Sequence, residues 1–231
     1  MKTRILAFLL TLMLLLSLAS CARERYDALY ISSVGGRIFT VRGEDGVVKQ
    51  ISVKENDKVI WAKKVKVDES VGKQSGTYGL TAVDLNFDGA LDIMLMQSVS
   101  GETVSYLCWI WDAKRETYVA STPLSSLLNI KVIPERSALL AFHREDAVRD
   151  GRVIGWTDAA TQYVWKNGEL TPERRIALTY FTETNSYCLA AKLYNSAAQS
   201  FDIDIDGTPD RWFFSQPELD AYDLSQLYYF K

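Results

Sequence analysis

Two nine-residue stretches hold the side chains best suited to chemistry. They are Asp84-Leu85-Asn86-Phe87-Asp88-Gly89-Ala90-Leu91-Asp92 and Asp202-Ile203-Asp204-Ile205-Asp206-Gly207-Thr208-Pro209-Asp210. Both read D-x-[DN]-x-D-G-x-x-D. Alternate positions of a tightly wound loop converge on one point, glycine at the sixth position permits the sharp turn, and the seventh residue offers its carbonyl. Each stretch therefore predicts a site for a hard cation. The first would use Asp84, Asn86, Asp88 and Asp92 with the Ala90 carbonyl; the second would use Asp202, Asp204, Asp206 and Asp210 with the Thr208 carbonyl. Oxygen ligands without His or Cys favour Ca²⁺, then Mg²⁺ or Mn²⁺, over Zn²⁺. One or two structural Ca²⁺ ions are the cofactors expected.

The charge pattern argues the same way. The second stretch holds four carboxylates and no Lys or Arg, and like charges held that close resist folding unless a cation neutralises them. Leu85, Phe87, Ile203 and Ile205 sit between the ligands and are expected to anchor each loop to a core. Neither loop is an EF-hand, because the twelfth position, where that motif needs a bidentate Glu, holds Leu95 or Phe213. Strand-like residues follow each glycine, so the context is strand, loop, strand. The competing reading is an acidic surface turn, since Asp and Gly favour turns without any metal.

The N-terminus bears on where these loops work. Lys2 and Arg4 precede an almost wholly apolar run from Ile5 to Leu16, which closes on Leu18-Ala19-Ser20-Cys21. Residues 1–21 thus have the form of an export signal, and their end matches a bacterial lipobox in which Cys21 carries the lipid. An ordinary cleaved signal and a retained membrane helix are the alternatives, the run being short for a span. The expected organisation is a signal at 1–21, a tether at 22–27 and one β-rich domain at 28–231, anchored to the membrane by its N-terminal lipid. Removing Lys2 and Arg4 takes the net charge from −3 to −5. With no basic patch, nucleic acid is not an expected partner. Cys108 and Cys188 remain, either paired as a disulfide, which export permits, or as two buried thiols.

Strand signals run through the rest of the chain. Gly35-Gly36, Asp45-Gly46, Asn56-Asp57 and Asn167-Gly168 lie between alternating β-formers as hairpin turns. Lys63 to Gly76 reads as a loop, Pro123 to Asn129 as a short helix or loop, and Pro217 to Leu227 as a helix capped by Ser215. Ala138 to His143, Gly151 to Trp156 and Thr161 to Trp165 read as separate strands. The fold class expected is all-β and mainly antiparallel. The acidic loops start 118 residues apart, close to three repeats of the roughly 40 residues in a four-stranded blade. That spacing suggests a small propeller of about five blades; a β-sandwich or an irregular two-sheet fold is the alternative.

Several segments carry a family resemblance. Val83 to Met94, Tyr106-Leu107-Cys108-Trp109-Ile110-Trp111-Asp112 with Tyr118, Leu124 to Pro134, and Tyr163 to Leu170 occur in that order. Together they resemble a group of exported bacterial proteins, often lipoproteins, similar to the FG-GAP and VCBS calcium-loop repeats of β-propellers. One branch of that group acts as immunity proteins against peptidoglycan-cleaving effectors of type IV secretion systems. The resemblance covers roughly residues 80–170. It implies a calcium role for Asp84, Asn86, Asp88 and Asp92, and does not extend to Asp202–Asp210.

Catalysis finds little support in the residues. His143 is the sole histidine and ends an apolar strand, where a packed or surface role is expected. There is no G-x-S-x-G elbow and no phosphate-cradling glycine loop. Trp109, Trp111, Tyr163 and Trp165 lie on strands, where they either pack the core or form an aromatic platform for a glycan or protein. The expectation is a non-enzymatic, lipid-anchored binding module of the cell envelope. Its partner would be a protein or the cell wall, and inhibition of a wall hydrolase is the role the resemblance implies. An envelope glycan-binding protein, or a glycoside hydrolase working through a carboxylate pair, is the alternative.

Overall fold

The structure is a computed structural model and describes residues 26–74, 76–204 and 210–222. The signal, Cys21, Asp206, Thr208 and the end of the C-terminal helix expected at 223–227 lie outside the described residues.

The described chain is all-β and antiparallel. A first four-stranded meander comprises β1 (Asp27–Val34), β2 (Arg37–Glu44), β3 (Val47–Glu55) and β4 (Lys58–Lys64). A second comprises β5 (Leu80–Val83), β6 (Asp92–Ser100), β7 (Thr103–Asp112) and β8 (Thr117–Ala120). The third sheet runs β14 (Ser200–Asp204), β13 (Ser186–Asn195), β12 (Glu169–Phe181), β11 (Arg152–Lys166), β10 (Ala138–Arg149) and β9 (Lys131–Ile133), with β15 (Arg211–Phe213) also paired to β13. Three short helices intervene: α1 (Glu69–Gln74), α2 (Thr122–Ser125) and α3 (Gln216–Asp220). None of the described helices is long and apolar enough to cross a membrane.

Two-residue turns set the registers. The pairs Gly35-Gly36, Asp45-Gly46, Asn56-Asp57, Asp150-Gly151 and Asn167-Gly168 all have positive φ at both positions. Such turns match the right-handed twist of the strands they join and select Gly, Asn and Asp. Each is closed by a paired couple, Val34 with Arg37, Glu44 with Val47, Glu55 with Lys58, Arg149 with Arg152 and Lys166 with Glu169.

The sheets stack in chain order. Phe39, Val41, Ile51 and Val53 of the first sheet meet Ile93, Leu95, Trp109 and Tyr118 of the second. The opposite face of the second sheet packs Met94 and Cys108 against Leu139 and Ala141 of the third, with Leu124 of α2 between them. On its far side the third sheet buries Leu140, Ile176, Leu178 and Phe213 with Leu219 of α3. Because both faces of the second sheet are covered, β6 carries an unbroken apolar run from Ile93 to Met96 rather than an alternation.

None of the three sheets closes on itself. The two meanders have the strand count of a propeller blade, but the third sheet does not divide into equal blades. Its strands β10, β11, β12 and β13 are 12, 15, 13 and 10 residues long. The two strands expected at Gly151–Trp156 and Thr161–Trp165 are one strand running through Gly155, where an added Cβ would fall 1.7 Å from the Tyr180 carbonyl oxygen. That glycine marks a close backbone approach, and the break expected after Trp156 is absent because Thr157 to Ala160 pair with both β10 and β12. The loop expected over Lys63–Gly76 contains α1, whose neighbourhood buries Val67 and Val71. Helix α3 has Ser215 at its N-cap as expected, its hydroxyl accepting from the Glu218 N–H.

Candidate metal centre

The first acidic stretch is the loop joining β5 to β6, closed by the pair Val83–Asp92. Leu85 is fully buried and Phe87 packs on the same cluster, so both anchor the loop as expected. The Leu85 carbonyl accepts from the indole Nε1 of Trp165 at 2.8 Å, which fixes the loop to the third sheet. On the other side the Tyr118 hydroxyl donates to the Leu91 carbonyl at 3.1 Å.

Three of the expected ligands come together. The backbone N–H of Asp88 lies 3.2 Å from Oδ1 of both Asp84 and Asn86. Asp84 Oδ2 accepts from the Gly89 N–H at 2.8 Å and Asp88 Oδ1 from the Ala90 N–H at 2.8 Å, while Asn86 Nδ2 donates to Asp88 Oδ2 at 2.9 Å. Phe87 and Gly89, at φ 60° and 89°, make the turn that gathers these side chains. Each carboxylate oxygen has two acceptor sites, so the amide contacts do not exhaust them.

Asp92 does something else. Its side chain is 0% exposed. Oδ2 accepts from the Leu85 N–H and Oδ1 from the Trp111 N–H, both at 2.8 Å. Burial pushes its carboxyl up to about 6, against the two backbone hydrogen bonds; the charges of Asp88 and Asp84 add to the rise. Asp92 thus braces the loop against β7. Among the described residues no three His, Cys, Asp or Glu side chains are gathered as a metal-holding group. Asp84, Asn86, Asp88 and the Ala90 carbonyl have the hard-oxygen chemistry of a calcium site; Asp92 is held apart from them by its backbone partners. Leu95 and Phe213, the twelfth-position residues, are core side chains.

The second acidic stretch sits differently. β14 and β15 pair with successive parts of the same edge of β13, so the stretch interrupts an edge strand and does not close a hairpin. Asp202 Oδ2 accepts from Ser200 Oγ at 3.1 Å and Asn195 Nδ2 at 3.4 Å. Asp210 Oδ1 lies 2.7 Å from Nζ of Lys192 on β13. The stretch contains no cation of its own, but the neighbouring strand supplies one. Asp204 pairs with Lys192 in the backbone register.

The four aromatic residues considered for a platform pack against the cores. Trp109 is buried and lies 5.4 Å from Trp61, ring to ring. Trp111 carries the Arg37 guanidinium 3.8 Å above its ring, and Tyr163 and Trp165 pack on the second core cluster. Arg37 also donates from Nη1 to the Tyr118 hydroxyl and from Nε to Glu55 Oε1, both at 3.0 Å. Cys108 and Cys188 are both free and buried, so the disulfide alternative falls. His143 lies 3.5 Å from Glu145 beside an open groove of about 620 Å³ lined by Glu102, Asn129, Phe142, Arg144 and Asp158. The Asp158 carboxylate there is held by both Arg144 Nε and Nη2, at 2.6 and 2.7 Å.

An aromatic surface does exist elsewhere. Phe181 and Trp212 stack at 5.4 Å with their planes 21° apart. Trp212 is 48% exposed and Phe214 72%. With Arg149, Ile154 and Glu183 they line a shallow groove of about 270 Å³. The only sequence signal was Arg211-Trp212-Phe213-Phe214, where strand alternation turns Phe213 into the core and its two neighbours outward.

No sequence-family profile matches the chain, and no curated protein matches it. By shape it is similar to a solved structure described as that of a Xanthomonas type IV secretion system related protein. The TM-score is 0.53 at 16% sequence identity, over 78% of this chain and 98% of that one. At this identity the likeness is one of fold.

Proposed function

We propose that this chain is a lipid-anchored, extracytoplasmic, calcium-binding β protein that acts by binding and inhibits a peptidoglycan-cleaving enzyme. The observation that carries the reading is the exposed aromatic end of the third sheet, where Trp212 and Phe214 stand beside Arg149. Exposed Trp and Arg around an apolar patch are the composition of protein-binding hot spots. The fold shared with a protein related to type IV secretion supports the setting, as does the family resemblance of the sequence. We read the two four-stranded meanders as propeller-like blades and the third sheet as their irregular continuation.

Calcium has a structural part in this proposal. Asp84, Asn86, Asp88 and the Ala90 carbonyl would hold it, and the ion would offset the charge of the β5–β6 loop. Asp92 and Tyr118 keep the loop in place between the sheets.

The test is an inhibition assay. The full chain is added at equimolar ratio to a wall hydrolase carried by a type IV secretion system, and clearing of a peptidoglycan suspension is followed. Slowed clearing is expected, with loss of the effect in Trp212→Ser/Phe214→Ser at unchanged melting temperature. Unchanged clearing with the native chain would refute the reading.

A further inference from the structure

We propose that β1 is a dimerisation edge, pairing antiparallel with β1 of a second copy so that two first sheets join into one eight-stranded sheet. A free strand edge presents a row of unpaired N–H and C=O groups, and proteins blunt such edges with Lys, Pro, bulges or short length. The other sheet edges here follow that rule. β4 carries Lys58, Lys63 and Lys64; β5 and β8 have four residues each; β9 has three and covers β10 only to Leu140, beyond which β10 carries the charges of Arg144, Glu145, Asp146 and Arg149; the β14–β15 edge is interrupted by an acidic loop.

β1 is different. It is eight residues long, Asp27-Ala28-Leu29-Tyr30-Ile31-Ser32-Ser33-Val34, with no Lys, Arg or Pro and no charge after Asp27. Its one irregularity lies between Ala28 and Tyr30, and from Tyr30 to Val34 the ladder to β2 is continuous. Ile31 is 59% exposed in the middle of this strand. Among the described residues the outer side of β1 has no backbone partner.

The occupant follows from self-complementarity. With a two-fold axis at Ile31, each Ile31 faces its own copy, Tyr30 faces Ser32, Leu29 faces Ser33 and Ala28 faces Val34. Asp27 falls opposite Gly35, so no charge meets a like charge, and the exposed isoleucine gains an apolar cross-strand neighbour. Only this register places Ile31 against itself. The inference stands apart from the proposed inhibition and does not depend on it.

The register supplies its own test. Directly opposed residues of antiparallel strands have Cα atoms about 4.5–5.5 Å apart, within the roughly 4.4–6.8 Å that a disulfide spans. In the full chain, held in detergent under mild oxidation, Ile31→Cys is expected to form a dimer that reductant dissolves. Val59→Cys on β4, which replaces an exposed residue of a lysine-bearing edge, should stay monomeric. The unoxidised native chain should sediment at twice the monomer mass, and Ile31→Lys should halve it. A monomeric native chain, equal cross-linking of both cysteine variants, or a dimer that survives Ile31→Lys would each overturn the proposal. Because position 31 is exposed, loss of folding is not expected, and an unchanged melting curve checks that point.

Discussion

The hydroxyl of Tyr118 donates to the carbonyl of Leu91, 27 residues away, at 3.1 Å and accepts from Arg37 of the first sheet at 3.0 Å. One side chain thus ties the acidic loop, the second meander and the first meander together, and its ring also touches Phe39, Trp61 and Trp111. Tyr118→Phe keeps the ring and removes only the hydroxyl. Two partly buried polar groups then lose a partner, for about 1–3 kcal/mol of stability. Urea unfolding should show that loss, with faster amide exchange over residues 84–91 as its local sign.

Asp88 tests the calcium reading. A ligand at a hundred times its Kd adds about 2.7 kcal/mol, and each kcal/mol moves the melting point of a domain this size by roughly 2–4 °C. Melting with calcium and with chelator should therefore differ by about 5–10 °C. Asp88→Ala should abolish most of that gap while shifting the chelated curve little, since the Asp88 contacts are exposed. Superimposable curves for the native chain would count against a calcium site.

Asp92 behaves oppositely. Its two oxygens are the acceptors for two N–H groups, those of Leu85 and Trp111. An orphaned buried donor costs about 1–3 kcal/mol, so Asp92→Ala should lose roughly 2–6 kcal/mol even in chelator. Asp92→Asn keeps one acceptor oxygen and should fall between. A chelator-insensitive loss at Asp92 beside a calcium-specific loss at Asp88 would separate the brace from the ligands. Equal behaviour would merge them.

The sequence revealed local chemistry better than register. Asn167-Gly168 announced its hairpin because few residues other than Gly, Asn and Asp tolerate positive φ at both turn positions, and Ser215 announced α3 through its capping position. Leu85 and Phe87 were recognisable as anchors because apolar residues between acidic ones need somewhere to go, but Ile203, expected to anchor on the same ground, is 46% exposed on an edge strand, and Ile205 lies outside the described residues. What stayed hidden depends on which strands lie side by side. Lys192 precedes the second acidic stretch by ten residues, and only the pairing of β14 and β15 along one edge of β13 brings it opposite Asp204 and against Asp210. Phe181 meets Trp212 through the pairing of β12, β13 and β15, a relation that no periodicity carries. The break expected between Trp156 and Thr161 does not occur, because Thr157 to Ala160 continue the ladder between β10 and β12 inside one 15-residue strand.

The thiols give a test of the cores. Burial pushes the Cys108 thiol up to about 12 from 9.0, and burial also raises that of Cys188. Only the thiolate alkylates, so at pH 8 the reactive fraction of native Cys108 is about a thousandfold below that of the unfolded chain. Iodoacetamide should leave Cys108 unlabelled over a time in which the urea-unfolded chain labels fully, and reductant should not change the gel mobility of the native chain. The linkage has a definite sign. With the folded pKa above the unfolded one, the stabilisation from a neutral buried thiol is complete below pH 9 and lost as pH climbs toward 12. Cys108→Ala should flatten that alkaline decline, measured as the urea midpoint between pH 8 and 11, although the variant itself starts less stable because it opens a gap beside Met94 and Leu124. Rapid labelling of the native chain at pH 8 would mean that the packing between the second and third sheets opens far more readily than its buried side chains imply.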